Sequence, residues 1–302
     1  MTPSTALVTG ASGFVGRHLC AALVRDGWQV RALVRATTDA TQLPAGVGAE
    51  PLPATARELG REIVRLRPQV VFHLATLFRG VHAVDDVEPL IASNVLLGSQ
   101  LAEALTAAPP AAFINTGTAW QQDEVGRYRP AALYAATKQA MEDILRYYAQ
   151  SGAYPAATVR LFDTYGPGDQ RGKLLSALAR QPESGEPLQM SPGEQLIDLL
   201  HVDDVVRALR RAAEVTAEGA TSWSVWSAGS GRRLTVRDLV AAFERATGRA
   251  VPVVWGARPY RPVEMFARFD AGPRVPGWQP SIELEDGLAR TYGGTEAGPR
   301  RD

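Results

Sequence analysis

The sequence predicts a doubly wound α/β fold, in which helices cover both faces of a parallel sheet and a smaller C-terminal part is interleaved with it. Three observations predict it. Short, continuously apolar segments alternate with helical patterns from Thr5 to Phe162, as strands buried on both faces do. The turn G-A-S-G-F-V-G joins the first such segment to the first helix. After Phe162, loops rich in Gly and Pro replace the short connections, and an open α/β sheet binds its ligand among loops at the carboxyl ends of its strands.

Residues 5–9 (T-A-L-V-T) form the first strand, and an amphipathic helix near 14–26 stops at Gly27. V-R-A-L-V at 30–34 is the second strand. The stretch 36–56, rich in Thr, Ala, Pro and Gly, is mostly loop with a short third strand near 49–52. Helix 56–67 leads to strand 70–74, and a long helix near 84–107 leads to strand 112–116. A helix over roughly 131–151 and a strand at 156–162 complete the alternation. Beyond it, helices near 173–181, 203–217 and 235–248 stand between the loops 164–172, 182–194, 251–262 and 272–280. The expected division is a dinucleotide-binding domain over 1–163 plus about 198–228, a substrate-binding part over about 164–197 and 229–292, and a frayed tail at 293–302.

The 302 residues are 45% hydrophobic and 21% charged, an ordinary soluble composition. Lys+Arg and Asp+Glu both number 32, so net charge gives no reason to expect nucleic acid or an anionic membrane. No apolar run is expected to reach the ~20 residues of a membrane span, no signal peptide precedes Thr5, and a cytoplasmic location follows. The one cysteine, Cys20, rules out an internal disulfide framework. The four histidines, at 18, 73, 82 and 201, lack metal-ligand spacing, so no metal site is expected. His73 reads as a packed histidine with a backbone hydrogen bond, and an Asp of the pair 203–204 as the N-cap of the following helix.

The glycine turn carries the first functional signal. Gly10, Gly13 and Gly16 allow a tight turn and close backbone approach, and the helix N-terminus offers N–H groups to a pyrophosphate. Candidate cofactor contacts are therefore Gly10, Ser12, Gly13, Phe14, Val15, Gly16 and Arg17. NAD-binding chains of this Rossmann type usually end the second strand with an acid for the ribose 2′-OH. Here that place reads Val34–Arg35. Arg35 suits a 2′-phosphate, with Arg17 assisting, which favours NADP over NAD; an exposed loop charge is the plainer account of Arg35.

Tyr134 and Lys138 are the second signal. Four residues apart on one helix, they share a face. A phenol of pKa about 10 is a poor proton donor or base near neutrality, and a neighbouring ammonium favours its phenolate. Such a pair is also common on solvated helices. Beside a nicotinamide it serves proton transfer coupled to hydride transfer.

In this order the segments resemble the extended short-chain dehydrogenase/reductase family, nucleotide-sugar branch, over about Ala6 to Tyr292. The resemblance rests on G-A-S-G-F-V-G, H-L-A at 73–75, Y-A-A-T-K at 134–138, R-L-F-D-T-Y-G-P-G at 160–168 and H-V-D-D at 201–204. It looks most like NDP-hexose 4-ketoreductases of the CDP-abequose and CDP-paratose synthase type. The resemblance implies that Tyr134 is the acid/base, that Lys138 holds the nicotinamide ribose, and that Thr116 hydrogen-bonds the reacting oxygen. It implies that Leu74, Ala75 and Thr76 border the cofactor and that Arg261 binds the nucleotide diphosphate. Arg171 and Lys173, after the Y-G-P-G loop, with Thr118 and Trp120 after the Thr116 strand, are further substrate candidates. Family members commonly pair two long helices into a homodimer, here 84–107 and 131–151.

Departures from the family pattern narrow the chemistry. Related 4,6-dehydratases follow the catalytic Thr with an Asp–Glu pair; Gly117 and Thr118 stand there instead and cannot shuttle protons as carboxylates do. Ile197 replaces a common Arg, and Asp163 replaces an Asn. The expectation is NADPH-dependent reduction of a 4-keto-6-deoxyhexose linked to a nucleotide, in deoxysugar biosynthesis. An epimerase with tightly bound NAD, a reductase of a non-nucleotide carbonyl and a non-catalytic cofactor sensor are the alternatives.

Overall fold

The computed structural model describes residues 4–294, except Gly185, Ala220, Pro262, Met265 and 267–271 and the side chains of 181–184. Most of the tail 293–302 lies outside these residues. The chain divides into two units. The first holds the described residues within 1–162, 205–228 and 269–279; the second holds those within 163–204, 229–268 and 280–294. This differs from the expected division. Residues 198–204 belong to the second unit, and the chain returns to the first once more before the C-terminus.

The first unit is built on a seven-stranded sheet. In chain order its elements are β1 (Thr5–Thr9), α1 (Phe14–Arg25), β2 (Gln29–Val34), β3 (Val47–Pro51), α2 (Ala56–Leu66), β4 (Val70–His73), α3 (Val84–Ala107), β5 (Ala112–Thr118), α4 (Leu133–Gln150), β6 (Ala156–Leu161) and β7 (Trp223–Ala228). The strand order β7-β6-β5-β4-β1-β2-β3 is parallel throughout and reverses direction of growth at β1. Brändén's rule puts a ligand at such a switch point, outside the carboxyl ends of β1 and β4. The inner strands β4, β5 and β6 are buried along almost their whole length, so their sequences are largely apolar without alternation. Leu7, Val71, Phe113, Ile63, Leu101, Met141 and Leu145 meet in one core on one face of this sheet.

α3 is not a uniform helix. It contains a π-helical turn, Ala92–Leu96, and 3₁₀ turns at both ends. Gly98 lets it approach α4: a Cβ there would lie 2.8 Å from Met141 Cε and 2.9 Å from His73 Nε2. By length and composition α3 is apolar enough to cross a membrane, which amends the expectation that no segment is. Leu90, Leu101 and Leu105 are fully buried in its own unit, whereas Val84, Val87, Ile91 and Leu96 are exposed.

The second unit is held by short strand pairs: Asp163–Tyr165 with Leu199–His201, Leu196–Ile197 with Leu234–Thr235, and Leu188–Gln189 with Val253–Val254. Its core gathers Tyr165, Leu178, Leu199, Leu239, Phe243 and Leu288. The helix Val202–Ala217 starts before both Asp203 and Asp204, so the N-cap position falls on His201, whose Nδ1 accepts the Asp203 N–H at 3.2 Å. Asp204 lies in the first turn. Its carboxylate accepts the backbone N–H groups of Ser281 and Ile282, at 3.2 and 3.0 Å, and so fastens the C-terminal segment. Asp198 closes the neighbouring turn by accepting from Ser230, Gly231 and Arg233.

Candidate active site

The glycine turn leaves β1 with Gly10 at φ +71°, a left-handed conformation that favours glycine. A Cβ on Gly10 would lie 2.6 Å from Ala75 N, so this residue also lets the turn touch the loop after β4. Gly16 is packed against the Gly10 carbonyl with no room for a side chain. Gly13 is exposed and stands at the N-terminus of α1, with no side chain capping the helix. Phe14 is buried in the core, while Ser12, Val15 and Arg17 are half-buried around the turn. These features fit a dinucleotide: a bare backbone approach over Gly13 and a helix end that attracts anions. Arg35 is exposed just past β2, and no acid replaces it there. Glu50, beside Leu33 in register, is instead paired with Arg31 and Arg65 at 3.1 and 2.7 Å.

The β4 end is organised around two residues. His73 Nδ1 meets Thr9 Oγ1 at 2.8 Å, so the expected backbone bond is a hydroxyl contact instead. Burial, and then the nearby Lys138 charge, push the imidazole down to about 3, so it is neutral. Asn94, in the π-helical turn, uses its full hydrogen-bonding capacity. Its Oδ1 accepts from Thr76 Oγ1 and the Leu77 N–H, and its Nδ2 donates to the Leu77 carbonyl and to Thr137 Oγ1. The loop Leu74–Leu77 is thereby tied to α4, the helix of Tyr134 and Lys138.

Tyr134 and Lys138 both lie on the buried side of α4, at 9% and 2% exposure. Desolvation lowers the Lys138 ammonium to about 8, and among the described residues no carboxylate forms an ion pair with it. Tyr134 packs edge-on against Phe78, with ring centroids 5.0 Å apart, and Phe78 packs in turn against Trp120.

β5 runs two residues beyond its expected end, to Thr118. Thr116 Oγ1 donates to the His73 carbonyl at 3.2 Å. Thr118 Oγ1 accepts from the Trp120 N–H at 3.3 Å, which leaves its own hydrogen for another acceptor. Behind Thr118 lies a buried polar network. Its N–H donates to Gln121 Oε1, Gln121 Nε2 donates to Gln139 and Glu142, and Glu142 is paired with Arg160 of β6 at 2.7 Å. Gly117 makes room for this network, since a Cβ there would be 2.7 Å from Gln121 Oε1. Sequence reasoning missed Gln121, Glu142 and Phe78; the Tyr134-to-Glu142 spacing of two helical turns was the available signal for Glu142.

In the second unit, the three basic candidates are held by carboxylates. Arg171 is paired with Asp169 at 2.7 Å, Lys173 with Asp163 at 2.9 Å and Arg261 with Glu264 at 2.9 Å. The Asp163–Lys173 pair is the altered local bonding that follows from Asp in place of Asn. Among the described residues no cluster of His, Cys, Asp or Glu could hold a metal ion.

A family model described as NAD dependent epimerase/dehydratase family matches residues 6–246. A CDP-abequose synthase of Yersinia pseudotuberculosis is 26% identical over 67% of this chain and 71% of its own length. A UDP-glucose 4-epimerase of Rhizobium leguminosarum bv. trifolii is 26% identical over 95% of each chain. Among solved structures, MoeE5 in complex with UDP-glucose and NAD superposes with a TM-score of 0.81 at 27% identity, covering 96% of this chain and 97% of its own.

Proposed function

The chain belongs to the NAD dependent epimerase/dehydratase family, as an enzyme of oxidoreductase or epimerase type acting on nucleotide sugars, and on that premise we propose that it reduces the 4-keto group of a nucleotide-linked 6-deoxyhexose with NADPH. One observation carries the choice of net reduction: β2 ends at Val34 and is followed by the exposed Arg35, with no acid there for a ribose 2′-OH and a cation suited to a 2′-phosphate. The turn after Thr118 reads Ala119–Trp120, so neither assignment of the catalytic threonine brings a carboxylate pair for water elimination.

Gly13 and the α1 N-terminus would hold the pyrophosphate of the dinucleotide, and the loop Leu74–Thr76, set by Asn94, would border it. When bound, the cofactor would supply hydride for the carbonyl carbon. Tyr134 donates the proton as alkoxide character develops on the oxygen. Lys138, buried and positively charged, stabilises the phenolate left behind. Thr116 donates its hydroxyl hydrogen to the same oxygen, and Thr118, whose hydroxyl accepts from the Trp120 N–H, is a second candidate for that contact. In the second unit Arg171, Lys173 and Arg261 are the candidates for diphosphate oxygens, for which planar guanidinium groups are suited. Two copies pair through α3 and α4, covering Val87, Ile91, Leu96 and Tyr147, all exposed in the single chain.

A second reading, 4-epimerisation with retained NAD, uses the same Tyr134 and Lys138. The epimerase relative of Rhizobium and the NAD bound to MoeE5 favour it. Denaturing the protein as purified and identifying the released nucleotide separates the two: stoichiometric NAD supports the epimerase, and little or no bound nucleotide supports the reductase.

A further inference from the structure

Phe78 flanks the candidate proton donor. It lies in the loop after β4 with 43% of its surface exposed, directly against the phenol of Tyr134. Its ring stands at 77° to that phenol and at 62° to the Trp120 indole, with centroids 5.0 and 5.6 Å away. Gly80 borders both outer rings: a Cβ there would sit 3.7 Å from Phe78 Cζ and 3.9 Å from Trp120 Cη2. Three segments far apart in sequence, the β4 loop, the turn after Thr118 and the start of α4, thus bring aromatic rings together around the one group placed to move a proton.

A hexose whose reacting oxygen meets Tyr134 carries its neighbouring ring substituents only two bonds from the reacting carbon. A substituent turned towards Phe78 would meet the Phe78–Trp120 wall. Aromatic faces accept C–H groups and methyls well. They give a carboxylate nothing in exchange for its lost hydration. The cation nearest in sequence, Arg79, is already occupied: its Nε donates to Asp86 at 2.7 Å and its Nη1 to the Phe78 carbonyl at 3.0 Å.

We propose that Phe78 and Trp120 determine specificity by selecting a sugar with an apolar substituent, a methyl group, beside the reacting carbon, and by rejecting one with a carboxylate there. This rests on the nucleotide-sugar reading above and divides the substrates within it.

The test is isothermal titration of the full chain with the UDP- and CDP-linked forms of 6-deoxyglucose, glucose and glucuronate, for wild type, Phe78→Ala, Phe78→Leu and Trp120→Ala. Wild type is expected to bind the 6-deoxy sugar about 10–200-fold more tightly than the glucose form, the scale set by small differences in an apolar pocket, and the glucuronate form more weakly still. Phe78→Ala and Trp120→Ala should bring the three sugars to within about tenfold of one another, Phe78→Leu should keep most of the discrimination, and NADPH affinity should be unchanged in all. Equal wild-type affinity for the three sugars overturns the proposal alone, as does a parallel loss for all three in the alanine variants. Failure of all six nucleotide sugars to bind wild type overturns the nucleotide-sugar reading and this proposal with it.

Discussion

Glu142 Oε1 accepts from Arg160 Nη2 at 2.7 Å in a buried ion pair, one helical turn beyond Lys138. Removing water from both charges is costly, and their attraction offsets that cost only with good geometry and further hydrogen bonds. Gln121 supplies one of those bonds and links the pair to the Thr118 backbone. The pair therefore fixes α4 against the ends of β5 and β6. Glu142→Gln should lower stability by about 3–5 kcal/mol, because Arg160 is left buried without its counter-charge. A double Glu142→Leu, Arg160→Leu variant should recover much of that loss. Urea denaturation of the three proteins checks both expectations.

Tyr134→Phe removes the proton donor and keeps the ring contact with Phe78. It should reduce kcat by about 10²–10⁴, the usual scale of a lost general acid. Dinucleotide affinity, measured by titration, should stay within about twofold of wild type. Retained turnover with intact cofactor binding would discard Tyr134 as the donor.

Lys138 titrates near 8 because burial penalises its charged form. The folded value lies below that of an exposed lysine, so the ammonium is lost as pH rises through about 8. Support for the phenolate is lost with it, and kcat/KM should fall on that alkaline limb. Lys138→Arg keeps the cation at all accessible pH values and should move the limb upward by at least one pH unit, even where its maximal rate is lower. The pH–rate profiles of the two proteins test this. A limb that stays near 8 in the arginine variant would assign it to another group.

Arg35 marks the difference between the two cofactors. Arg35→Asp places an acid where a ribose 2′-OH would be and repels a 2′-phosphate. The ratio of NADPH to NADH affinity should fall by at least tenfold, read directly by titration. An unchanged ratio would leave Arg35 as an exposed loop charge.

Much of this fold was legible in the sequence because the sheet of the first unit is buried on both faces. Strands such as V-V-F-H and A-F-I-N-T are largely apolar runs, and some helix ends carry recognisable signals, such as Gly27 after α1 and the Thr55 capping box of α2. β3 was harder, since V-G-A-E-P has little apolar character and is held by pairing to β2. The two- and three-residue strands of the second unit were not legible, because distant partners define them. The Tyr134–Lys138 face and the glycine turn could be read from spacing alone. The hydrogen bond from Thr116 to the carbonyl of His73, 43 residues away, could not. Asn94 and Gln121 were similarly opaque: a lone amide in a helix or turn becomes informative only once its partners on other elements are known.

The central claim is net reduction with tyrosine as the proton donor. Its most direct test mixes the enzyme with NADPH and a nucleotide-linked 4-keto-6-deoxyhexose, then follows dinucleotide oxidation and product together. One NADPH should be consumed per 4-hydroxy sugar formed, with both abolished in Tyr134→Phe. Interconversion of 4-epimers of a nucleotide sugar with no net consumption of dinucleotide would contradict it.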